Sequence, residues 1–383
     1  MVHFLQDKIC SKLLRRRLLC RSVKQFNGRA LGAINKRQQS EWVVSIDDNL
    51  LFDSSGLQTI IESINRYQGH ATELRFKLAL SKEAIRDYYS HSRYLDDGGK
   101  LTLPLIANLR KHAKITRKML VETLTVTLPE IRTPINYPVS LMPAMINSTP
   151  LALLMPYTCD HDLLFANQIA LFSMLASTVK KSPVAWLKTF FSRTPRSVRK
   201  RLPLKWNNIH PTANIHPTAV VEGSIIGAGC QIGAHSVIRF SMLGNNVQLR
   251  DGAKVEFSVV DDNTWLMHDL VLVSSITEQE VFLINGPYQF SIFQKGSAAF
   301  ATIMMDYRAD GKSHRINTPT GVKNYQGRLL GALLEENAKV LGGTLLAPSV
   351  TVPQDTHVAP EIGSIVTAKK LIKANTKARK NGS

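Results

Sequence analysis

The 383-residue sequence predicts an α/β domain followed by an all-β, three-sided solenoid. Two observations carry this prediction: strand-like and helix-like stretches alternate in the first half, and aliphatic residues recur with a constant period from Ile209 onward. A basic segment separates the two halves. We therefore expect an α/β domain at 1–179, a basic aromatic linker at 180–206, a solenoid at 207–366 and a basic tail at 367–383.

The elements of the first half follow from local patterning. Trp42–Ile46 is an apolar run, and Ser54 or Ser55 stands where a helix cap is expected. The stretch 120–128 alternates apolar and polar residues, which is typical of a half-buried strand. The predicted elements, in chain order, are a basic amphipathic helix at 1–25, a strand at 42–46, a helix at 57–67, a strand at 72–80, a helix at 82–91 and a strand at 120–128.

The second half contains an internal repeat of 17 residues. Aliphatic residues come in triplets, and a small or β-branched residue follows most of them four positions later, which suits a corner. Each coil can bury its aliphatic residues only against the neighbouring coils, so the array must be continuous. The triplets are Ile209, Ile215 and Val221; Ile226, Ile232 and Ile238; Leu243, Leu249 and Val255; and Val260, Leu266 and Leu272.

This repeat resembles the hexapeptide-repeat family, whose members fold as left-handed parallel β-helices. The pattern fades after about residue 276 and returns in six-residue steps from Leu334 to Val358. We expect an insertion at about 285–328 between these two parts, and loops of this size are commonly functional. The resemblance implies a homotrimer with binding grooves between parallel solenoids, and an insertion that reaches a neighbouring subunit.

A second resemblance lies within Asp162-Leu163-Leu164-Phe165-Ala166-Asn167, which matches a D-L-L-x-A-N motif. The motif resembles the helix that ends the catalytic domain of sugar-1-phosphate nucleotidyltransferases, which a β-helix often follows. Those enzymes begin with a glycine-rich loop, because backbone N–H groups must approach a triphosphate closely. No GxGxR motif occurs in residues 1–50. We therefore expect the first domain to be a degenerate nucleotidyltransferase-like domain.

Three histidines are candidate general bases, because the resemblance implies an acyltransferase that uses a histidine on the acceptor hydroxyl or amine. His235 lies at a predicted coil turn, and His314 lies in the insertion. His268 precedes Asp269, which could orient its ring. For each histidine, the alternative is a solvated turn residue without a catalytic role.

Basic residues of the insertion are candidates for binding a phosphate or a nucleotide. Arg308, Lys312 and Arg315 alternate with acidic residues there, so a solvated loop is the alternative. Asp47 and Asp48 follow a strand and suit a hard cation, but without a phosphate loop we favour a structural turn. The four cysteines are scattered without paired spacing, so the sequence predicts no disulfide scaffold and no metal site.

The net charge of +19 is concentrated in the segments 1–40, 163–221 and 363–383. Basic residues that alternate with aromatic rings suit an anionic membrane surface, and no nucleic-acid recognition motif accompanies them. A solvated linker is the alternative. No secretory signal is evident, so we expect a cytoplasmic protein, peripheral to the inner face of the membrane. The linker residues expected at that surface are Trp186, Arg199, Lys200 and Arg201.

Together the resemblances imply a hexapeptide-repeat transferase. The leading hypothesis is acyl transfer to a nucleotide-sugar or a related envelope or polysaccharide precursor, with an anionic small molecule as substrate. The sequence does not choose between an acyl-CoA and a nucleotide as cofactor. Two alternatives stay open: a non-catalytic β-helix scaffold with an inactive nucleotide-binding domain, and a residual sugar-1-phosphate nucleotidyltransferase.

Overall fold

The protein divides into an N-terminal α/β part and a C-terminal parallel β-solenoid, as the sequence predicts. The predictions for residues 6–41, 182–206 and 361–383 lie outside the described residues. Within the described residues, no helix combines the length and apolar character needed to cross a membrane. The computed structural model describes residues 3–5, 42–47, 49–109, 120–135, 145–181, 207–308 and 310–360.

The N-terminal part is built on a mixed five-stranded sheet, and the three strands predicted for it are confirmed. Its outer strand pairs in parallel with residues 43–45, so the predicted N-terminal helix is wrong for residues 3–5. Pairing with a sheet edge outweighs local helical periodicity there. In spatial order the strands are His3–Leu5, Trp42–Ile46, Lys100–Leu109, Glu73–Ala79 and Val121–Thr127.

The central strand Lys100–Leu109 is absent from the sequence prediction because Pro104 interrupts its apolar pattern. The register against the neighbouring strand shifts between Arg75 and Phe76, which leaves Pro104 at a bulge. A bulge is one of the few places where a sheet tolerates a proline, since no ladder hydrogen bond is lost there.

The helix Ser54–Arg66 begins at a different cap from the one predicted. Its cap is Asp53, whose Oδ1 accepts a 2.7 Å hydrogen bond from the backbone N–H of Gly56. The prediction of Ser54 or Ser55 is therefore wrong by one or two positions. Aspartate and serine cap helices about equally well, so residue type alone does not separate neighbouring candidates.

The remaining N-terminal elements surround the same core. The predicted helix at 82–91 is confirmed as one turn of α-helix that continues as a π-helix. The helix that carries the D-L-L-x-A-N motif is confirmed and is the longest of the described helices. These elements are Lys82–Ala84, Ile85–Tyr89 and His161–Lys181, with the antiparallel pairs Leu50–Phe52 with Leu154–Pro156 and Glu130–Ile135 with Met145–Pro150.

The C-terminal part winds through three parallel faces, and each coil adds one short strand to each face. Most coils advance the register by 17 residues, as in the pairs Ile232 with Leu249 and Leu249 with Leu266. The first sheet contains Asn208–Ile209, Ile225–Ile226, Met242–Leu243, Val259–Val260, Ile276–Thr277, Ile292–Phe293, Leu333–Leu334 and Thr351–Val352. The second contains Asn214–Ile215, Gln231–Ile232, Gln248–Leu249, Trp265–Leu266, Phe282–Ile284, Ala298–Phe300, Lys339–Val340 and His357–Val358. The third face contains Val220–Glu222, Val237–Arg239, Lys254–Glu256, Val271–Val273 and Tyr288–Gln289, followed by the pair Ile303–Met304 and Leu345–Leu346.

The predicted aliphatic positions form the core of the solenoid. Ile232, Leu249 and Leu266 are at most 4% exposed and stack from coil to coil. A ladder of buried serines, which the sequence analysis missed, runs along one corner. Each serine N–H donates a 3.1 Å hydrogen bond to the hydroxyl of the serine one coil earlier. The ladder consists of Ser224, Ser241, Ser258, Ser275 and Ser291.

The interruption of the solenoid is shorter than the predicted 285–328. Strands continue on all three faces through residue 304, so the excursion occupies 305–332. The repeat is hidden in the sequence because one coil is a residue short, with Leu272 paired with Tyr288. In addition, Tyr288 and Phe293 replace aliphatic residues at inward positions.

The excursion forms a hairpin, His314–Thr318 with Gly321–Tyr325, that packs on the N-terminal part of the same chain. The hydroxyl of Tyr325 donates a 2.5 Å hydrogen bond to the backbone oxygen of Asp87, and its ring stacks on Phe165 at 5.0 Å between centroids. The hairpin therefore docks within its own chain, whereas the resemblance implies contact with a neighbouring subunit.

The N-terminal part also covers the later coils of the first sheet. The outward side chains of Ile276, Ile292 and Leu333 are buried in the N-terminal core. The second sheet is different, because outward residues such as Gln231 and Trp265 are exposed. The second sheet is thus the more open surface on which a solenoid site can form.

Candidate functional site

A corner at the end of the second sheet brings two of the predicted histidines together. Backbone hydrogen bonds of 2.8–3.1 Å stack the turns at 234–235, 251–252 and 268–269 in three successive coils. His235 and His268 therefore lie along one edge of the solenoid, with a single coil between them. Distance along the chain, 33 residues, becomes proximity because each coil returns to the same corner.

Both imidazoles at this corner are exposed, and neither ring makes a hydrogen bond to the part of the chain that the structure describes. Asp269 does not orient the ring of His268. Its carboxylate instead lies over Gly252 in the preceding coil, where a Cβ atom would meet Oδ1 at 2.2 Å. The two rings are therefore free to meet a ligand from solvent.

A cavity of about 290 Å³ opens on the second sheet beside this corner. Ala234, which precedes His235, forms part of its wall. Polar side chains dominate the lining, and short strands from three coils supply them. The lining includes Asn214, His216, Gln231, Gln248, Arg250 and Asp251.

Arg250 supplies a positive charge to this cavity. Its guanidinium lies 5.6 Å from the centre of the Trp265 ring, and it forms no ion pair within the described residues. Asp251 is engaged differently, because its Oδ1 accepts a 2.7 Å hydrogen bond from the backbone N–H of Ala234. A guanidinium without an acidic partner can bind a phosphate or carboxylate, and an imidazole nearby can take a proton.

His314 is separated from this corner. Its side chain is buried on the hairpin, where Nε2 bonds the backbone oxygen of Arg328 at 2.9 Å and the ring lies 6.2 Å from that of Tyr325. Burial lowers the pKa of His314. The structure thus places it in the packed junction rather than at an open groove.

The predicted phosphate-binding residues lie together on the excursion, but they are not equivalent. Arg308 forms a two-point ion pair with Asp310, with distances of 2.9 and 2.5 Å. The hydrogen bond from Arg308 lowers the pKa of the Asp310 carboxyl to about 2. Lys312 and Arg315 are exposed. The guanidinium of Arg308 is therefore already occupied by a carboxylate.

Other predicted sites fall on different ground. Asp47 forms a turn, since its Oδ1 accepts 2.8 Å hydrogen bonds from the backbone and side chain of Asn49. Asp48 lies outside the described residues, as do the four linker residues predicted to meet a membrane surface: Trp186, Arg199, Lys200 and Arg201.

The D-L-L-x-A-N motif is explained by folding. Asp162 accepts hydrogen bonds from the backbone N–H groups of Thr158 (2.5 Å) and Cys159 (2.8 Å) at the start of the helix, and the apolar residues of the motif are buried. Asp162 also bonds Nε2 of His91 at 2.8 Å. Burial raises the pKa of the Cys159 thiol. Sequence analysis missed this cluster because His91 lies far away along the chain.

Sequence comparison identifies no relative, since no family model and no curated protein sequence matches the chain. Similar solved structures include a hexapeptide transferase family protein from Anaplasma phagocytophilum. It is 14% identical, with a TM-score of 0.25, and the match covers 45% of this chain and 87% of that chain.

Two variants of a perosamine N-acetyltransferase from Caulobacter crescentus, each in complex with CoA and GDP-perosamine, also match. They are 15% and 14% identical, with TM-scores of 0.19 and 0.18, and the matches cover 40% and 42% of this chain. The chain spans 58% and 60% of those acetyltransferase chains, less than two thirds of their length.

The architecture of the second half rests on the chain's own coils. Parallel strands, a 17-residue register and stacked inward aliphatics repeat from one coil to the next, as the resemblance to hexapeptide-repeat proteins implies. The C-terminal part of this protein is therefore a parallel β-solenoid of the hexapeptide-repeat type.

Proposed function

We propose that this protein is an acyltransferase whose active site lies at the corner that carries His235 and His268. The observation behind the proposal is the meeting of two exposed imidazoles with a cavity of about 290 Å³ and the unpaired cation of Arg250. The resemblance of the repeat to hexapeptide-repeat transferases supports acyl transfer as the class of reaction.

In the proposed reaction, an acyl-CoA is the donor and an amine or hydroxyl of an anionic precursor is the acceptor. The imidazole of His268 or His235 takes the acceptor's proton as its nitrogen or oxygen attacks the thioester carbonyl. The C–S bond breaks, the acyl group passes to the acceptor, and the CoA sulfur leaves as a thiolate that receives a proton. Arg250 binds a phosphate of the donor or acceptor through charge-assisted hydrogen bonds.

A nucleotide-sugar is the acceptor class that we propose to test first, because both it and CoA carry phosphates that an unpaired guanidinium recognises. A trimer would place a neighbouring solenoid near the exposed second sheet. Light scattering that finds only monomers at micromolar concentration would contradict a site shared between subunits.

Binding of CoA is the first measurement, made by calorimetry on the full-length protein. Arg250→Gln should weaken CoA binding by about tenfold or more, since a charge-assisted contact is lost. Lys254→Gln is the matched control, because Lys254 is an exposed cation on the third face. The wild type failing to bind CoA would overturn the acyltransferase proposal and favour the scaffold alternative.

Turnover is the second measurement, followed as free CoA released from acetyl-CoA in the presence of a panel of nucleotide-sugars. Loss of the general base should lower kcat by about 100-fold or more in His268→Ala or in His235→Ala. His210→Ala is the control, because His210 is exposed in the first coil and bonds only its own turn. Full activity in both variants would remove this corner as the active site.

A further inference from the structure

A buried cluster of metal-ligating side chains lies in the N-terminal part, away from the proposed active site. His91 follows the π-helix, Cys159 precedes the long helix His161–Lys181, and Asp162 lies in its first turn. All three residues are at most 4% exposed. One ligating atom from each, a ring nitrogen, the thiol sulfur and a carboxylate oxygen, lies within 4.8 Å of the other two.

Hydrogen bonds inside the chain leave part of this cluster unused. Asp162 bonds Nε2 of His91 at 2.8 Å, but Nδ1 of His91 is buried without a partner among the described residues. The adjacent His161 is 3% exposed, and both of its ring nitrogens are buried without a partner there. Buried polar atoms are normally paired, because an unpaired one loses its hydration without compensation. Three unpaired imidazole nitrogens around one carboxylate therefore point to a ligand.

We propose that His91, Cys159 and Asp162 bind a zinc ion. A nitrogen, a sulfur and an oxygen donor together match the borderline character of Zn²⁺, whereas Mg²⁺ and Ca²⁺ prefer oxygen ligands alone. Charge balance also favours a divalent ion. A thiolate and a carboxylate neutralise its two positive charges, so the occupied site carries no net charge in a buried environment.

The distances suit zinc after a small contraction. Ligands at about 2.0–2.3 Å in tetrahedral geometry lie about 3.3–3.8 Å from one another. The cluster is within 4.8 Å, so rotations of side chains alone could close it. Three protein ligands leave the fourth tetrahedral position for a water molecule or for the nearby His161.

The position of the site suggests what the ion does for the protein. The ring of Tyr325, from the solenoid hairpin, meets His91 edge-on at 5.8 Å between centroids and stacks on Phe165. A zinc ion that holds His91 against the long helix would therefore stabilise the surface on which the hairpin docks. Its role would be structural, and this proposal does not depend on acyl transfer.

The test uses the full-length protein, stripped of metal and titrated with Zn²⁺ and then, separately, with Co²⁺. We expect about one equivalent of tightly bound zinc per chain. The cobalt form should show the near-ultraviolet absorption of a sulfur-to-cobalt bond, and Cys159→Ser should abolish that band. Cys230→Ser is the matched control, because Cys230 is also buried but lies in the solenoid, with its thiol bonded to a backbone oxygen.

A second variant guards against simple unfolding. Asparagine caps helices as well as aspartate does, so Asp162→Asn should fold while losing an anionic ligand. Its zinc affinity should fall by about 100-fold or more, since even outer contacts of a metal site are worth 10–100-fold. Absence of the cobalt band in the wild type, or an equal band in Cys159→Ser, would overturn the proposal and leave a hydrogen-bonded packing cluster.

Discussion

Replacement of Leu249 by alanine tests the core of the solenoid at its centre. The side chain is 1% exposed and stacks between Ile232 and Leu266 of the adjacent coils. Hydrogen bonds of 2.8 and 2.9 Å tie the backbone to both of those coils, so the coils cannot close a gap between them. Buried leucines lose both the transfer free energy and the contacts around the cavity, and we expect a loss of about 3–5 kcal/mol in the free energy of unfolding.

Urea denaturation followed by circular dichroism measures this loss, since the midpoint and slope together yield the free energy. Leu345→Ala is the matched control, because Leu345 belongs to the same solenoid but is 60% exposed. Its free energy of unfolding should change by less than about 0.5 kcal/mol. If the two variants unfold at the same urea concentration, the inward register of the repeat is refuted.

Three further predictions concern the serine ladder and the hairpin. Ser258→Ala should destabilise the protein by about 1–3 kcal/mol in urea, because a buried N–H of the next coil loses its acceptor, whereas the exposed Ser313→Ala should be neutral. Tyr325→Ala should speed amide hydrogen exchange throughout the docked hairpin, and the control Val322→Ala, 50% exposed on the same hairpin, should not; equal exchange in both would contradict the docking contacts. Burial lowers the pKa of His314, so the unfolded chain binds a proton at a higher pH than the folded chain does, and stability should fall as the pH drops below about 6.5. His314→Gln should lose less stability between about pH 7 and pH 5 than the wild type, and identical urea midpoints at both pH values in the wild type would refute this linkage.

Sequence alone determined the solenoid, its period and its inward residues. The reason is physical: each coil packs on the coil that follows it in the chain, so the contacts that stabilise the fold are written as a short-range pattern. Leu249 and its neighbours are buried where the period places them. The strands Trp42–Ile46 and Val121–Thr127 were also predictable, because an apolar run and an alternating pattern respectively are local signals.

Tertiary structure alone decided the sites. Arg250 became a candidate only when the coils placed it beside a cavity and near the corner of His235, and His314 proved to be buried by contacts that no local pattern encodes. His91 meets Cys159 and Asp162 only because a sheet and a helix bring distant segments together. A sequence pattern reports the neighbours of a residue along its own element, whereas the chemistry of a site depends on neighbours contributed by other elements.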